Sequence, residues 1–156
     1  MSKDVSSAPA LVLAADIGGT HAIFRVSERL ADGSYLTVAE KSFLSRDYDN
    51  FESLMDRLLG RIPESFAAGW SLACIAVAGP VENGAATLTN LGWKVNAEAI
   101  AQKFALKSLR LINDFHAAGH GVMTLGEQYL FSLQAAEPVA DGTIAVIGAG
   151  TGLGVA

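Results

Sequence analysis

Leu11-Val-Leu-Ala-Ala-Asp16-Ile-Gly-Gly-Thr20-His-Ala-Ile-Phe-Arg-Val26 is the stretch from which the rest of the chain is read. A short apolar run ends in Asp16, a Gly18-Gly19 pair follows, and a second run begins at Ala22. Two strands around a glycine turn make a β-hairpin. A second glycine segment, Gly148-Ala-Gly-Thr-Gly-Leu-Gly154, stands directly after the apolar residues 144–147, which read as a strand of the buried type.

Glycine matters in such turns for two reasons. It permits positive φ, and it lets backbone N–H groups approach a phosphate without a Cβ in the way. The hydroxyls of Thr20 and Thr151 add donors, and Asp16 stands where a carboxylate can hold Mg²⁺, directly or through water. A lone Gly-Gly hairpin turn is more often structural than functional. Two such turns, each after a strand and each with a threonine, could clamp one polyphosphate between two domains. A dinucleotide fingerprint needs glycines at i, i+2 and i+5, but from Gly148 the third position is Leu153 and from Gly150 it is Val155. Neither loop contains a lysine, which excludes a P-loop.

Outward from the hairpin, a third strand is expected over 35–43. Residues 49–61 then change period: Phe51, Leu54, Met55, Leu58 and Leu59 fall at helical spacing. Asp49 is the expected cap, with Glu52 as its capping-box partner and Gly60 or Pro63 as the stop. Residues 72–78 are apolar throughout, as a strand buried on both faces should be. A turn at 81–84, a short strand at 85–88, a helix over 97–104 capped by Asn96, a strand at 109–112 and a small-residue helix over 115–123 follow. Helices between the later strands imply crossovers, hence an α/β architecture and a mixed sheet with parallel strands.

The chain has 156 residues, of which 51% are hydrophobic and 17% charged, a globular profile. A net charge of -5, with no basic cluster, argues against a nucleic-acid partner. No apolar run approaches the roughly 20 residues that span a bilayer, and 1–10 reads as a polar tail without the features of a signal peptide. The single cysteine, Cys74, allows no internal disulfide and reads as a small buried hydrophobe, and a cytoplasmic protein is expected. His116 and His120, four apart on the last helix, read as surface or core histidines in the absence of a third ligand. Trp70 and Trp93 read as core anchors. Asp114, after Asn113 at a strand-to-helix turn, is open to two readings, a helix cap or a reactive carboxylate.

Four segments together carry a resemblance: Asp16-Ile-Gly-Gly-Thr20, Leu88-Thr-Asn-Leu-Gly-Trp93, Leu111-Ile-Asn-Asp-Phe115 and Gly148-Ala-Gly-Thr-Gly-Leu-Gly154. In order and spacing they resemble bacterial glucokinases, from about residue 11 onward. The first loop is shared with the wider actin-like ATPase class, whereas the second pair of segments is more specific. The resemblance implies an actin-like (ribonuclease H-like) small α/β domain over 11–115, lacking its carboxy-terminal helix, and the truncated start of a large α/β domain over 116–156.

The same resemblance implies ATP-dependent phosphorylation of glucose at the 6-hydroxyl, by a protein of which this chain is an incomplete portion and inactive alone. Asp114 would be the general base, and Asn113, Thr89 and Asn90 would bind the sugar with it. Ala15, Asp16, Ile17, Gly18, Gly19 and Thr20 would bind ATP from one side, and Gly150, Thr151 and Gly152 from the other. Asp16 would hold Mg²⁺ through water. Ala15 departs from the family's glycine, and His21-Ala22-Ile23 departs from its Asn-Ala-Arg; both bear on nucleotide or metal placement. A homodimer stays open, with no nucleic-acid or membrane partner expected. The other readings are a non-catalytic sugar-binding regulator of the same fold and another actin-like ATPase.

Overall fold

Strand β1 (Leu11–Ile17) lies at the centre of a five-stranded sheet of order β3-β2-β1-β4-β8, in a computed structural model that describes residues 11–62, 70–137, 139–149 and 153–155. β2 (His21–Arg29) and β3 (Tyr35–Leu44) continue it as an antiparallel meander, while β4 (Trp70–Val77) and β8 (Ser108–Asn113) run parallel to it on the other side. The fold is thus the α/β class with the mixed sheet that the sequence implied.

Alternation decides which face is buried. Leu11, Leu13, Ala15 and Ile17 of β1 point into the core with Ala22, Phe24 and Val26 of β2 and Ala73, Ile75 and Val77 of β4. Each large side chain so buried contributes about 1.5–3 kcal/mol relative to an exposed one. The opposite face of β4 is not equivalent: Leu72 is 48% exposed and Cys74 is half-buried, so the expectation of burial on both faces fails for these residues. Burial still pushes the Cys74 thiol above its ordinary pKa, and the nearby Arg110 charge offsets this in part.

Helix α1 (Phe51–Leu59) buries Phe51, Leu54, Met55 and Leu58 in the same core, as their spacing requires. Its cap is one residue later than expected. Asn50, not Asp49, accepts from the Ser53 N–H at 2.8 Å, and Ser53 Oγ donates back to the Asn50 carbonyl at 2.9 Å. Asn50 is the residue held extended immediately before the first helical turn, which is where a cap must be. Helix α2 (Ala97–Lys103) has the expected cap, with Asn96 Oδ1 accepting from the Ala99 N–H at 2.9 Å.

A second, three-stranded antiparallel sheet is built from β5 (Val81–Glu82), β6 (Ala85–Leu88) and β7 (Trp93–Asn96). Sequence reading found only β6. Asn83 and Gly84, at φ 49° and 72°, form the two-residue hairpin loop between β5 and β6, the conformation that Asn-Gly adopts most readily. Trp93 is buried, as a core anchor should be.

By contact the chain divides into two compact units, Met1–Asn113 and Asp114–Ala156. Within the second, helix α3 (Asp114–Val122) buries none of its residues fully, and β9 (Ile147–Ala149) pairs antiparallel with β10 (Leu153–Val155). The strand expected over 144–147 therefore begins only at Ile147, and it is not buried: Ile144 and Ile147 are 59% and 66% exposed. Among the described residues this strand has one hydrogen-bonded neighbour.

Candidate active site

Three parallel strands deliver their carboxyl ends to one row. Ile17 pairs with Val77, and Val77 with Asn113, so the ends of β1, β4 and β8 stand in register. At about 4.8 Å per strand, Ile17 and Asn113 are about 10 Å apart along that row. In open α/β sheets this edge is where ligands bind, because the loops leaving it are free of the ladder.

The loop leaving β1 is Gly18-Gly19-Thr20. It closes on itself, with the Gly18 N–H donating to the His21 carbonyl at 2.9 Å. Positive φ is not the reason for its glycines, since neither adopts it. Space is the reason: a Cβ on Gly19 would lie 3.3 Å from Asn90 Cβ, and one on Gly18 would lie 3.3 Å from the His21 carbonyl oxygen. The Gly18 N–H is committed within the turn by its bond to the His21 carbonyl.

Ser45, just beyond β3, clasps this turn from outside. Fully buried, it donates its N–H to the Thr20 carbonyl at 2.9 Å and its hydroxyl to the Gly18 carbonyl at 2.8 Å. Nothing in the sequence singled it out, since a lone serine 27 positions away from its partner carries no local signal. Ala15 and Ile17 point into the core, so only their backbone can meet a ligand. An alanine is accommodated at position 15 because its methyl group faces the core. Asp16, on the opposite face, and Thr20 are exposed.

Thr89 and Asn90 lie exposed in the turn between β6 and β7, which is closed by the Leu91 N–H donating to the Leu88 carbonyl at 3.0 Å. The structure thus brings Asn90 against Gly19, joining two segments that sequence reading assigned to different ligands. Thr89 also lines an open cavity of about 670 Å³ together with Thr87, Lys94 and Asn96.

Asn113 ends β8, and its Nδ2 donates to the Gly79 carbonyl at 3.0 Å, tying β8 to the loop that leaves β4. This structural task was not foreseen. Asp114 follows as the first residue of α3, and its Oδ1 accepts from the Phe115 N–H at 2.9 Å. One carboxylate oxygen is therefore engaged at the helix start.

In the second glycine segment, Gly148 and Gly154 face each other across β9 and β10, and a Cβ on either would overlap the Phe115 ring. Gly150, Thr151 and Gly152 lie outside the described residues. Among the described residues no cluster of three or more His, Cys, Asp or Glu gathers to hold a metal ion. Asp16, exposed beside the first glycine turn, is a single carboxylate of the kind that can share Mg²⁺ with water and substrate phosphates.

The family profile described as Glucokinase matches residues 13–156. A glucokinase of Trichormus variabilis is 40% identical over 144 residues, covering 92% of this chain and 42% of that protein. The crystal structure of a glucokinase from an Antarctic psychrotroph superposes with a TM-score of 0.77 at 32% identity, over 93% of this chain and 45% of the other. A glucokinase from Balamuthia mandrillaris, solved in complex with glucose, shares the fold with a TM-score of 0.59 at 21% identity, over 76% of this chain and 33% of the other. The chain spans about two fifths of the length of the curated relatives it matches. With a family profile that covers it from the first strand to the second glycine segment, this chain belongs to the glucokinase family.

Proposed function

We propose that the full-length protein transfers the terminal phosphoryl group of ATP to the 6-hydroxyl of glucose. The observation that carries this reading is the row of strand ends, from which the first glycine turn and Asn113 both emerge, in a chain of this family. Asp114, next after Asn113, is the general base that takes the proton from the sugar hydroxyl, a role worth roughly 10²–10⁴-fold. Asn113, Thr89 and Asn90 orient the sugar by hydrogen bonds, since amide and hydroxyl groups match its alternating donors and acceptors.

Gly19 and Thr20 offer amides and a hydroxyl to the nucleotide phosphates, with Gly18, Ala15 and Ile17 shaping the backbone beneath them. Gly150, Thr151 and Gly152 supply further backbone donors. Asp16 would hold Mg²⁺, directly or through water; the ion neutralises phosphate charge when bound. Positioning and charge stabilisation then account for the rate, because phosphoryl transfer needs little covalent help from the protein. The compartment that fits an ATP-using sugar kinase is the cytoplasm.

A coupled assay of the full-length protein tests this reading. ATP-dependent phosphorylation of glucose is expected, and ATP hydrolysis unaffected by any hexose would refute it. The 156-residue chain alone is expected to show no significant turnover, and clear ATP-dependent glucose phosphorylation by it would contradict that part of the reading.

A further inference from the structure

One feature of α3 has no part in the proposed phosphoryl transfer. His116 and His120 are exposed, their rings stack with centroids 4.9 Å apart at an interplanar angle of 24°, and their Nε2 atoms approach to 3.2 Å. Helical spacing of four residues places the two side chains one above the other on the same face. At that separation a proton on either Nε2 can bridge to the other nitrogen, with donor and acceptor set by the tautomers.

The same separation suits a metal ion in place of the proton. Two imidazole nitrogens bound at about 2.1 Å stand about 3.0 Å apart when they subtend a right angle and about 3.4 Å apart at the tetrahedral angle. The observed distance falls between these limits. We propose that His116 and His120 form a two-nitrogen site for a divalent transition-metal ion of the Cu²⁺ or Zn²⁺ type, separate from any Mg²⁺ at Asp16. Imidazole favours such ions over the hard Mg²⁺, which prefers oxygen, and Cu²⁺ heads the affinity order.

The surroundings leave room for the remaining coordination positions. A cavity of about 230 Å³ is lined by both histidines with Gly119, Met123, Ile144 and Val146. Gly119 puts no side chain in the way, and Met123 brings a polarisable thioether to the same cavity. Among the described residues no third histidine, cysteine or carboxylate joins the pair.

Titration of the 156-residue chain with Cu²⁺ alone, read by calorimetry and by electron paramagnetic resonance, tests the site. One ion per chain is expected, with the hyperfine pattern of two coordinated imidazole nitrogens. His116→Asn and His120→Asn should each weaken binding by more than the ~10-fold that loss of an outer-shell partner already costs, and each should remove one nitrogen from the spectrum. His21→Asn, at the remaining histidine, should change neither readout. Without any substitution, Zn²⁺ should shift the ring proton resonances of His116 and His120 and leave His21 in place. Absence of Cu²⁺ binding, an unchanged nitrogen count in the doubly substituted chain, or Zn²⁺ shifts centred on His21 would each overturn the proposal.

Discussion

In the first glycine turn, Gly18 and Gly19 ride on a packed core and are held from outside, by the Ser45 clasp on the Gly18 and Thr20 carbonyls and by Asn90 against Gly19. In the second segment, Gly148 and Gly154 face each other across two three-residue strands whose Ile147, Leu153 and Val155 are mostly exposed, and one aromatic ring, Phe115, covers the pair. The two segments look alike as sequence. They use glycine for different physical ends: a close backbone approach in one, and a flat bed for a ring in the other. Covering a cross-strand glycine pair with an aromatic side chain restores packing that glycine cannot supply.

The largest expected effect separates the two regions. Phe24→Ala should cost about 3–5 kcal/mol in urea unfolding, because Phe24 lies fully buried beneath the first hairpin. A loss under about 1 kcal/mol would mean that the hairpin does not depend on that core. The second region is broken by adding atoms. Gly154→Ala and Gly148→Ala should each cost about 1–3 kcal/mol by forcing the Phe115 ring off its bed, more at Gly154, where the ring lies closer. Unchanged Phe115 ring resonances in either variant would contradict the account of these glycines.

Ser45→Ala sharpens the comparison more gently. It removes the hydroxyl bond to the Gly18 carbonyl but keeps the backbone bond to Thr20, so about 1 kcal/mol of stability and some ATP affinity in the full-length protein should be lost. Equal nucleotide affinity in this variant would show the clasp to be irrelevant to the loop's shape. At the small end, Asn50→Ala should cost about 1 kcal/mol, whereas Asp49→Ala should stay within about 0.5 kcal/mol. Thermal unfolding of the two variants reads the difference directly, and the reverse order would restore Asp49 as the cap.

That last pair shows where sequence reading runs out. Asp49 and Asn50 are both capping residue types, and composition alone does not choose the frame; the choice falls to whichever residue is extended as Phe51 enters the core. The hairpin, α1, α2 and β8 were legible because each carries a local period or a local cap. Strands β5 and β7 were not, since their pairing depends on neighbours across the sheet and on an Asn83-Gly84 loop that was read only as a turn. The exposure of Leu72 and Ile147 was missed for a related reason, because an apolar residue does not say whether a second layer covers it.

For the candidate site, Asp16, Gly18 and Gly19 stand out in the sequence by their place after an apolar run. Ser45 is invisible until the fold brings it to the turn, and so is the commitment of the Asn113 amide to Gly79. In both cases the informative fact is a long-range hydrogen bond from an unremarkable polar residue.

The proposed chemistry depends on the carboxylate that starts α3. Asp114→Asn in the full-length protein keeps the shape of the side chain and its acceptor for the Phe115 N–H, yet removes the capacity to take a proton. Measured side by side, glucose binding by calorimetry should be retained while kcat for ATP-dependent phosphorylation falls by roughly 10²–10⁴-fold. Turnover near that of the unaltered protein would contradict the assignment of Asp114 as the base.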